Sequence, residues 1–289
     1  MYEKFAEPGF ELSAEPDTRV LAYSSAGSIF RNYNLILDQA AQIEGLEGLV
    51  LIHQDAEIIQ IDFLQRIREA MATRDDIAIV GCAGALDVRN IAWWEGSVTW
   101  ASFTHRYGEL GGGEIPALSW LDDEIPPYAE TGVVDSIDGF VMGFTPWAIQ
   151  NLRFDETIGT QLHGYDFDIC MQAKLAGKKV VTADLKVIHH HSLDLISDAD
   201  SWADAHIRIA EKWDEHLPKP HGATLDWKTR AMRAEAQTSV AMTMGAAARL
   251  LFEARIRALD REIDEMKGST SWRITAPLRK LTGLFKKAG

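Results

Sequence analysis

Cysteine is scarce in this sequence. Only two of the 289 residues are cysteines, Cys82 and Cys170, and both lie within apolar runs. Two buried thiols suit a reducing compartment, and they exclude the dense disulfide framework of small secreted domains. The length predicts one large domain with extensions, whose core is stabilised by hydrophobic packing.

Long hydrophobic runs are also absent. No stretch of about 18 apolar residues is present, so the sequence offers no candidate for a membrane-spanning helix. Residues 1–17 are acidic and lack the apolar centre of a signal peptide. These absences predict a cytoplasmic protein, and any contact with the inner face of the plasma membrane is left to the C-terminal segment.

Positive charge is in the minority. Lys and Arg number 29 against 43 Asp and Glu, which gives a formal net charge of −14. This balance argues against general nucleic-acid binding, so we expect no nucleic-acid partner. The segment 268–289 is the exception, because it holds five basic residues and no acid, so the rest of the chain carries −14 − 5 = −19.

Composition divides the chain into four segments: a polar leader (1–18), alternating strand and helix patterns (19–218), a helical extension (219–267) and a basic amphipathic tail (268–289). The alternation predicts an α/β fold with a largely parallel sheet flanked by helices. The predicted strands are 20–23, 49–52, 77–82, 133–137 and 180–183, and the predicted helices are 30–43, 61–73, 166–176 and 202–216.

A candidate ligand site follows the predicted strand 49–52, which is apolar and ends in His53-Gln54-Asp55. In open α/β sheets ligands bind beyond the carboxyl ends of strands, and a carboxylate there can hold a divalent cation that binds phosphate oxygens. Asp55 is therefore a candidate metal ligand. The alternative is that Asp55 caps the helix that follows it.

A second polar group lies between residues 154 and 192. Asp166 and Asp168 follow a Gly-Tyr turn at the start of a predicted helix, whose N-terminal dipole favours negative charge. A predicted strand then leads into three histidines at 189–191, of which at most two face the same way. Asp166 is therefore a candidate reactive carboxylate. The alternative is that it caps its helix, a role that does not exclude catalysis.

These segments resemble the nucleotide-sugar glycosyltransferases of the GT-A fold, family 2-like, and especially a bacterial branch in which the usual Asp-x-Asp reads His-Gln-Asp. The similar segments follow family order over roughly residues 20–195. Their occurrence together in this order is more specific evidence for the family than any single segment. The segments are Tyr33-Asn34, His53–Asp55, Val80–Gly84, Asp138–Met142, Arg153–Glu156, Gly164–Asp168 and the histidines at 189–191.

The resemblance implies a fold and an activity. The fold would be GT-A, an α/β Rossmann-like domain with a mostly parallel sheet, followed by the C-terminal helical extension. The activity would be the metal-dependent, inverting transfer of a sugar from a nucleotide-diphosphate donor. The acceptor would be a hydroxyl of a bacterial surface or cell-wall glycan, free or lipid-linked.

The resemblance also implies residue roles. Asp55 and His189 would bind a divalent cation, Mn²⁺ or Mg²⁺, and Asp166 would be the catalytic base that accepts the acceptor's proton. Contacts with the donor or acceptor would come from Asn34, Asp138, Gly139 and Asp168. Independently of the resemblance, Trp93 and Trp94 are candidates for stacking on a sugar face. The alternatives are a plain β-turn at Asp138-Gly139 and simple packing for the tryptophans.

Two other functions stay open. A glycosyltransferase-like scaffold or glycan-binding partner without turnover is favoured by the N-terminus, because residues 1–18 do not resemble the family's first strand and helix. The acid that usually meets the nucleotide base is also replaced around Ser24-Ser25. Three alternatives stay open for the nucleotide pocket: another chain completes it, the leader completes it, or the affinity for the nucleotide is reduced. A metal-dependent hydrolase lacks a second ligand motif such as His-Glu-x-x-His.

The C-terminal segments predict contacts with partners. Five apolar residues between 252 and 266 are spaced 4, 3, 4, 3, which is typical of a short coiled coil or of a helix docked on a neighbour, so 250–266 is a candidate homo-oligomer interface. Residues 271–287 alternate bulky apolar and basic residues, and part of this segment resembles a tail motif of bacterial glycosyltransferases. The tail either lies on an anionic membrane surface, is solvated, or docks on another chain.

Overall fold

The structure is a computed structural model that describes residues 1–21, 27–96, 98–101, 103–107, 113–116, 132–191, 198–217, 226–276 and 279. It forms two compact units, residues 1–218 and 219–289. Eight α-helices lie in the described ranges: α1 (Tyr2–Ser13), α2 (Ile29–Ala40), α3 (Phe63–Ala72), α4 (Pro146–Asn151), α5 (Tyr165–Leu175), α6 (Ala199–Trp213), α7 (Trp227–Gly268) and α8 (Thr270–Ile274).

The strands among the described residues all belong to the first unit. In chain order they are β1 (Leu49–Ile52), β2 (Ala56–Glu57), β3 (Ile77–Gly81), β4 (Ala83–Leu86), β5 (Val98–Ala101), β6 (Phe103–Tyr107), β7 (Gly113–Pro116), β8 (Gly132–Val134), β9 (Ser136–Ile137), β10 (Val141–Phe144), β11 (Lys179–Thr182) and β12 (Val187–His191). An α/β fold with a C-terminal helical extension is confirmed.

The central sheet has the strand order β1-β10-β3-β11-β8. Only β3 and β11 pair in parallel, whereas β10 runs antiparallel to both of its neighbours and β8 runs antiparallel to β11. The prediction of a mostly parallel sheet was therefore wrong. The physical reason lies in the segment 132–144, which carries both β8 and β10 in the direction opposite to β3 and β11 and has no crossover helix between them.

Two smaller sheets extend this core. One has the order β2-β12-β6-β7, and the other has the order β5-β4-β9. In the first of these, Ile188 pairs with Glu57 and His189 pairs with Ala56, so β12 lies beside the chain that leaves β1. This pairing, rather than the central sheet, brings the two predicted metal ligands together.

The core forms where apolar faces meet the central sheet. All five residues of β3 are buried, and α2 and α3 pack against the sheet with side chains at helical spacing. Those side chains are Phe30, Tyr33, Leu37 and Ala40 of α2 and Phe63, Ile67 and Ala70 of α3. Cys82 and Cys170 are buried free thiols, as expected.

The N-terminal leader contains helix α1, which packs on β2. Ala6, Gly9 and Ser13 are its buried residues. A Cβ on Gly9 would lie 2.8 Å from the backbone nitrogen of Ile58, so only glycine allows this close approach. Of the predicted strand 20–23, residues 20 and 21 have no regular structure and the other two lie outside the described residues.

The second unit is described by itself. Asp226 caps α7 by accepting a hydrogen bond from the backbone N–H of Thr229, and the helix continues to Gly268. The guanidinium of Arg279 lies 3.8 Å from the ring centre of Trp272. The remaining residues of the predicted membrane-contacting tail, 277–278 and 280–287, lie outside the described residues. Among the described helices, none combines the length and apolarity that crossing a bilayer requires.

Candidate active site

Three side chains with metal-binding atoms meet where β1 ends. His53 and Asp55 follow β1, and His189 comes from β12. The backbone N–H of His53 donates to the carbonyl of Phe140 (2.9 Å), and the backbone N–H of His190 donates to the carbonyl of Asp55 (2.9 Å). These bonds fix the loop against both the central sheet and the sheet that carries β12.

The donor atoms of His53, Asp55 and His189 all lie within 4.8 Å of one another. Oδ1 of Asp55 is 3.7 Å from Nε2 of His189 and 3.9 Å from Nδ1 of His53, so neither contact is a hydrogen bond. This oxygen is buried and has no hydrogen-bond partner in the described part of the chain. Because metal ions bind such atoms at about 2.0–2.2 Å, the gap and the unsatisfied oxygen fit a cation.

A second set of contacts orients the two imidazoles. Nε2 of His53 lies 2.8 Å from the hydroxyl of Tyr165, and with the proton on Nε2 the Nδ1 atom presents its lone pair towards Asp55. The ring of Phe140 stacks on His189, with the ring centres 4.3 Å apart and the planes 3° from parallel. Ligating histidines are commonly fixed through their other nitrogen, as Tyr165 fixes His53.

The other two histidines of the cluster lie elsewhere. Nε2 of His190 is 2.6 Å from Oε2 of Glu57, and its ring stacks on Phe5 of α1 with centres 3.6 Å apart. Adjacent residues of β12 point to opposite faces, so His190 faces α1 while His189 faces Asp55. The side chain of His191 is outside the described residues.

Asp166 lies in the first turn of α5 and faces the turn at 138–140. Its Oδ2 accepts a hydrogen bond from the backbone N–H of Gly139 (3.2 Å), and its Oδ1 accepts one from the N–H of Phe167 (2.9 Å). Burial, together with the negative charge of Asp138, raises the pKa of Asp166 to about 7. A carboxyl group with that pKa can exchange a proton near neutral pH.

Gly139 is required by the packing of Tyr165. A Cβ at position 139 would lie 2.3 Å from the Tyr165 hydroxyl oxygen and 2.5 Å from its ring carbons. The same tyrosine hydroxyl contacts His53, so one buried side chain separates the carboxylate of Asp166 from the predicted metal ligands. The structure thus brings Asp166, Gly139, Asp55 and His189 into one region.

Asp138 connects this region to the predicted tryptophans. Its carboxylate accepts hydrogen bonds from Nε1 of Trp93 (2.9 Å) and from the backbone N–H of Phe140 (3.2 Å). Trp93 is buried, whereas the half-buried Trp94 stacks on Trp202 of α6 with ring centres 5.7 Å apart. Trp93 therefore positions Asp138, and Trp94 packs on α6 at the edge of the region.

Asn34 ties α2 to the segment before α5. Its Nδ2 donates to the carbonyl of Phe154 (2.9 Å) and to Oε1 of Glu156 (3.0 Å), and its Oδ1 accepts from the N–H of Phe154 (2.8 Å). The amide thus bonds through both its oxygen and its nitrogen within the protein. A predicted sugar contact through Asn34 would have to replace one of these bonds.

Asp168 lies apart from the other predicted residues. It is fully buried, and its carboxylate accepts hydrogen bonds from Nε1 of Trp213 (2.9 Å) and Nε2 of Gln172 (2.7 Å). Nζ of Lys212 lies 2.6 Å from the same carboxylate and 2.6 Å from that of Asp155. These partners hold α6 against α5, which favours a packing role, and the sugar contact through Asp168 stays a prediction.

Sequence reasoning missed three residues of this region. His53 lies in the His-Gln-Asp segment, but no role was predicted for it. No role was predicted either for Tyr165, which precedes Asp166, or for Phe140, which follows Gly139. The position of His53 beside Asp55 could have suggested a further nitrogen ligand. No local signal predicts the contact between His53 and Tyr165, which are 112 residues apart.

A cavity of about 590 Å³ lies between α1, α2, α3 and β1. Its walls include Phe10 of the leader, Tyr33 of α2 and Gln54, the residue before Asp55. The leader thus borders the chain that reaches the predicted metal site. This arrangement is compatible with the alternative in which the leader completes the nucleotide pocket, which stays a prediction.

Comparison with known proteins decides the family. A sequence model described as Glycosyltransferase like family matches residues 10–211. The chain belongs to this glycosyltransferase-like family. The match includes every predicted site residue, from Asn34 to His189, and confirms the resemblance to glycosyltransferases. The family description names neither a donor nor an acceptor.

Three known proteins show low sequence identity to this glycosyltransferase-like protein. It is 25% identical over 198 residues to streptomycin biosynthesis protein StrF of Streptomyces griseus, and the match covers 66% of this chain and 63% of StrF. The chain therefore spans less than two thirds of that relative's length. Among solved structures, GalNAc-T7 with UDP, GalNAc and Mn²⁺ has a TM-score of 0.44 at 13% identity, covering 68% of this chain and 37% of that chain. A197 from STIV has a TM-score of 0.38 at 14% identity, covering 61% and 74%.

Proposed function

We propose that the protein is a metal-dependent, inverting glycosyltransferase that moves a sugar from a nucleotide-diphosphate donor to a hydroxyl of a bacterial surface or cell-wall glycan. One observation carries this proposal. The buried and unsatisfied Oδ1 of Asp55 lies between the imidazoles of His53 and His189, and Tyr165 connects that cluster to the Asp166 region.

Asp55 and His189 are the proposed metal ligands, and His53 can add a third through Nδ1. A set of two imidazoles and one carboxylate suits Mn²⁺ as well as Mg²⁺, because Mn²⁺ accepts nitrogen ligands beside the oxygen ligands that both ions bind. A cation bound there would supply Lewis-acid stabilisation to the diphosphate as it departs. Three protein ligands leave coordination positions for phosphate oxygens and water.

Asp166 is the proposed general base. Its carboxylate is held by the backbone N–H groups of Gly139 and Phe167, so it is oriented before an acceptor arrives. A pKa of about 7 lets it take the proton of the attacking hydroxyl near neutral pH. Attack from the face opposite the departing diphosphate would invert the anomeric centre.

Asp138 and Gly139 are the proposed contacts for donor or acceptor sugar, with Trp94 at the edge of the site. Asp138 is held by hydrogen bonds from Trp93 and Phe140. Its negative charge lies close enough to Asp166 to raise the pKa of Asp166. Hydrogen bonds from a sugar hydroxyl to Asp138 would offset the repulsion between the two carboxylates. Membrane contact through residues 271–287 would bring the enzyme close to a lipid-linked acceptor, and this part of the proposal rests on the sequence alone.

The first experiment measures nucleotide release by the purified protein with UDP-, GDP- and dTDP-sugars, with and without Mn²⁺ or Mg²⁺. Asp55→Ala and Asp166→Ala are compared with Asp75→Ala, which removes an exposed carboxylate outside the site. We expect metal-dependent release that is lost in the first two variants and retained in the third. Direct Mn²⁺ binding, followed by electron paramagnetic resonance, should be lost in Asp55→Ala and retained in Asp166→Ala.

The outcome distinguishes the alternatives. Release of nucleotide with inversion, read from the anomeric signals of the product by NMR, supports the transferase. If no donor binds or turns over, even with a membrane extract that supplies acceptors, the transferase proposal is refuted and a scaffold or glycan-binding role takes its place. Metal-dependent hydrolysis of another substrate without any donor binding would favour the hydrolase.

A further inference from the structure

Helix α7 presents an apolar seam. The seam consists of Phe252, Ile256, Leu259, Ile263 and Met266, whose spacing of 4, 3, 4 and 3 residues places them on one side of a helix. These side chains are between 39% and 70% exposed, and no residue of α7 is buried within the described structure. In heptad positions, Ile256 and Ile263 occupy a, and the other three occupy d.

We propose that two copies of this chain associate through the seam as a parallel, in-register, two-stranded coiled coil. The proposal concerns assembly and does not depend on the proposed catalytic function. Isoleucine at a with leucine at d favours two parallel strands, and this combination occurs at the centre of the seam in Ile256, Leu259 and Ile263.

The charges beside the seam identify a second copy as the partner. Along the seam, position g is occupied by Arg255 and Glu262, and position e by Glu253, Asp260 and Lys267. In a parallel dimer, each g residue meets the e residue five positions later on the other helix. Arg255 would therefore pair with Asp260 of the other copy and Glu262 with Lys267, and the two-fold axis repeats both pairs.

These charged groups remain accessible in the single chain. Arg255 lies 3.8 Å from Glu262 along the same helix, and both side chains are more than 60% exposed. An ion pair exposed to this degree contributes little to stability, so it does not compete with contacts between helices. Arg257 pairs with Glu253 on the same helix, away from the g and e pairs described above.

The apolar layers favour the parallel orientation as well. In a parallel, in-register pair, all five seam residues meet their own copies. In an antiparallel pair, the residues at position a pack opposite those at position d. The register that joins Ile256 to Leu259 then places Met266 opposite Arg249. The other register places Phe252 opposite Thr270, beyond the end of α7. Each antiparallel register therefore loses an apolar layer.

The test uses the full chain, studied by sedimentation equilibrium and by light scattering from low to high micromolar concentration. The expected mass at high concentration is twice the 32.2 kDa of one chain. Ile256→Asp combined with Ile263→Asp should raise the dissociation constant by at least about 100-fold, because it buries unpaired carboxylates in the seam. Ala247→Asp combined with Ala254→Asp is the matched control, since it adds the same two charges at f positions, which face away from the seam.

Two further variants test the pairing and the orientation. Arg255→Glu alone should weaken the dimer, because it places Glu opposite Asp260, and adding Asp260→Arg should restore it. Met266→Cys should give a covalent dimer under mild oxidation if the helices are parallel and in register, since residue 266 then meets its own copy. A chain that stays monomeric at high concentration would overturn the proposal, and so would a dimer unaffected by the seam variants. A dimer in which Met266→Cys forms no cross-link would overturn the parallel orientation.

Discussion

The proton affinity of Asp166 gives the sharpest test of the proposed base. Burial and the charge of Asp138 raise its pKa from 3.8 to about 7. A carboxyl group is ionised above its pKa, so only about one molecule in ten carries the base form at pH 6, and about nine in ten do at pH 8. Because only the ionised form accepts a proton, we expect kcat/KM to rise about tenfold between pH 6 and pH 8. An unshifted aspartate would already be ionised at pH 6 and would give no such rise.

The assay is the initial rate of nucleotide release with a saturating metal concentration and the best donor of the panel, measured across this pH range. Asp138→Asn removes the like charge and should move the acidic limb to lower pH, while burial keeps part of the shift. Asp166→Asn should lower the rate by about 10²–10⁴-fold and abolish the limb. A profile that is flat between pH 6 and pH 8 would refute the reasoning, as would a limb that survives in Asp166→Asn. NMR titration of the carboxyl carbon of Asp166 checks the same pKa without any donor.

Three further predictions follow from the packing around the site. Gly139→Ala places a Cβ 2.3 Å from the hydroxyl oxygen of Tyr165 and should destabilise the fold by about 1–3 kcal/mol, measured by urea unfolding; an unchanged midpoint would contradict the close approach. Tyr165→Phe removes the partner of His53 Nε2 and should weaken Mn²⁺ binding by about 10–100-fold, measured by calorimetry; a change within twofold would refute its orienting role. Asp168→Asn removes one charge of the pair with the partly exposed Lys212 and should cost about 2–3 kcal/mol of stability, with kcat retained below the unfolding transition; loss of kcat at full stability would return Asp168 to the site.

Local elements of the fold could be predicted because their signals are contained in short stretches. The strand Leu49–Ile52 is an apolar run that ends in polar residues, and the structure has a strand with the same bounds. Helix α5 lies between Gly164 and Gly177, and both glycines adopt positive φ values of 88° and 76°. Those conformations suit glycine far better than other residues, so the sequence marks both ends of the helix.

The order of strands could not be predicted in the same way. Residues Val141–Phe144 are an apolar run that could be a strand in either direction, and nothing in the run shows that it lies between β1 and β3. The direction of this strand follows from its pairing with β1 and β3, which lie far from it in the sequence. A mostly parallel sheet was the wrong inference for that reason.

The candidate site shows the same division between local and distant information. Asp55 and His189 could be proposed as metal ligands from the resemblance. The structure places Oδ1 of Asp55 3.7 Å from Nε2 of His189. Asp166 and Asp168 both lie in the first turn of α5. The side chain of Asp166 bonds to Gly139, whereas that of Asp168 bonds to Trp213. The sequence pattern of α5 does not separate them, because the helix is buried on more than one side.

The two buried cysteines have a practical consequence for chemical labelling. Burial raises the pKa of Cys170 to about 12 and holds the pKa of Cys82 well above its usual value, so neither forms the reactive thiolate at neutral pH. Maleimides and mild oxidants should therefore leave the native thiols untouched. A single cysteine placed on the surface would then be the reactive thiol of the folded protein, and distance measurements with spin labels or fluorophores could begin without replacing Cys82 or Cys170.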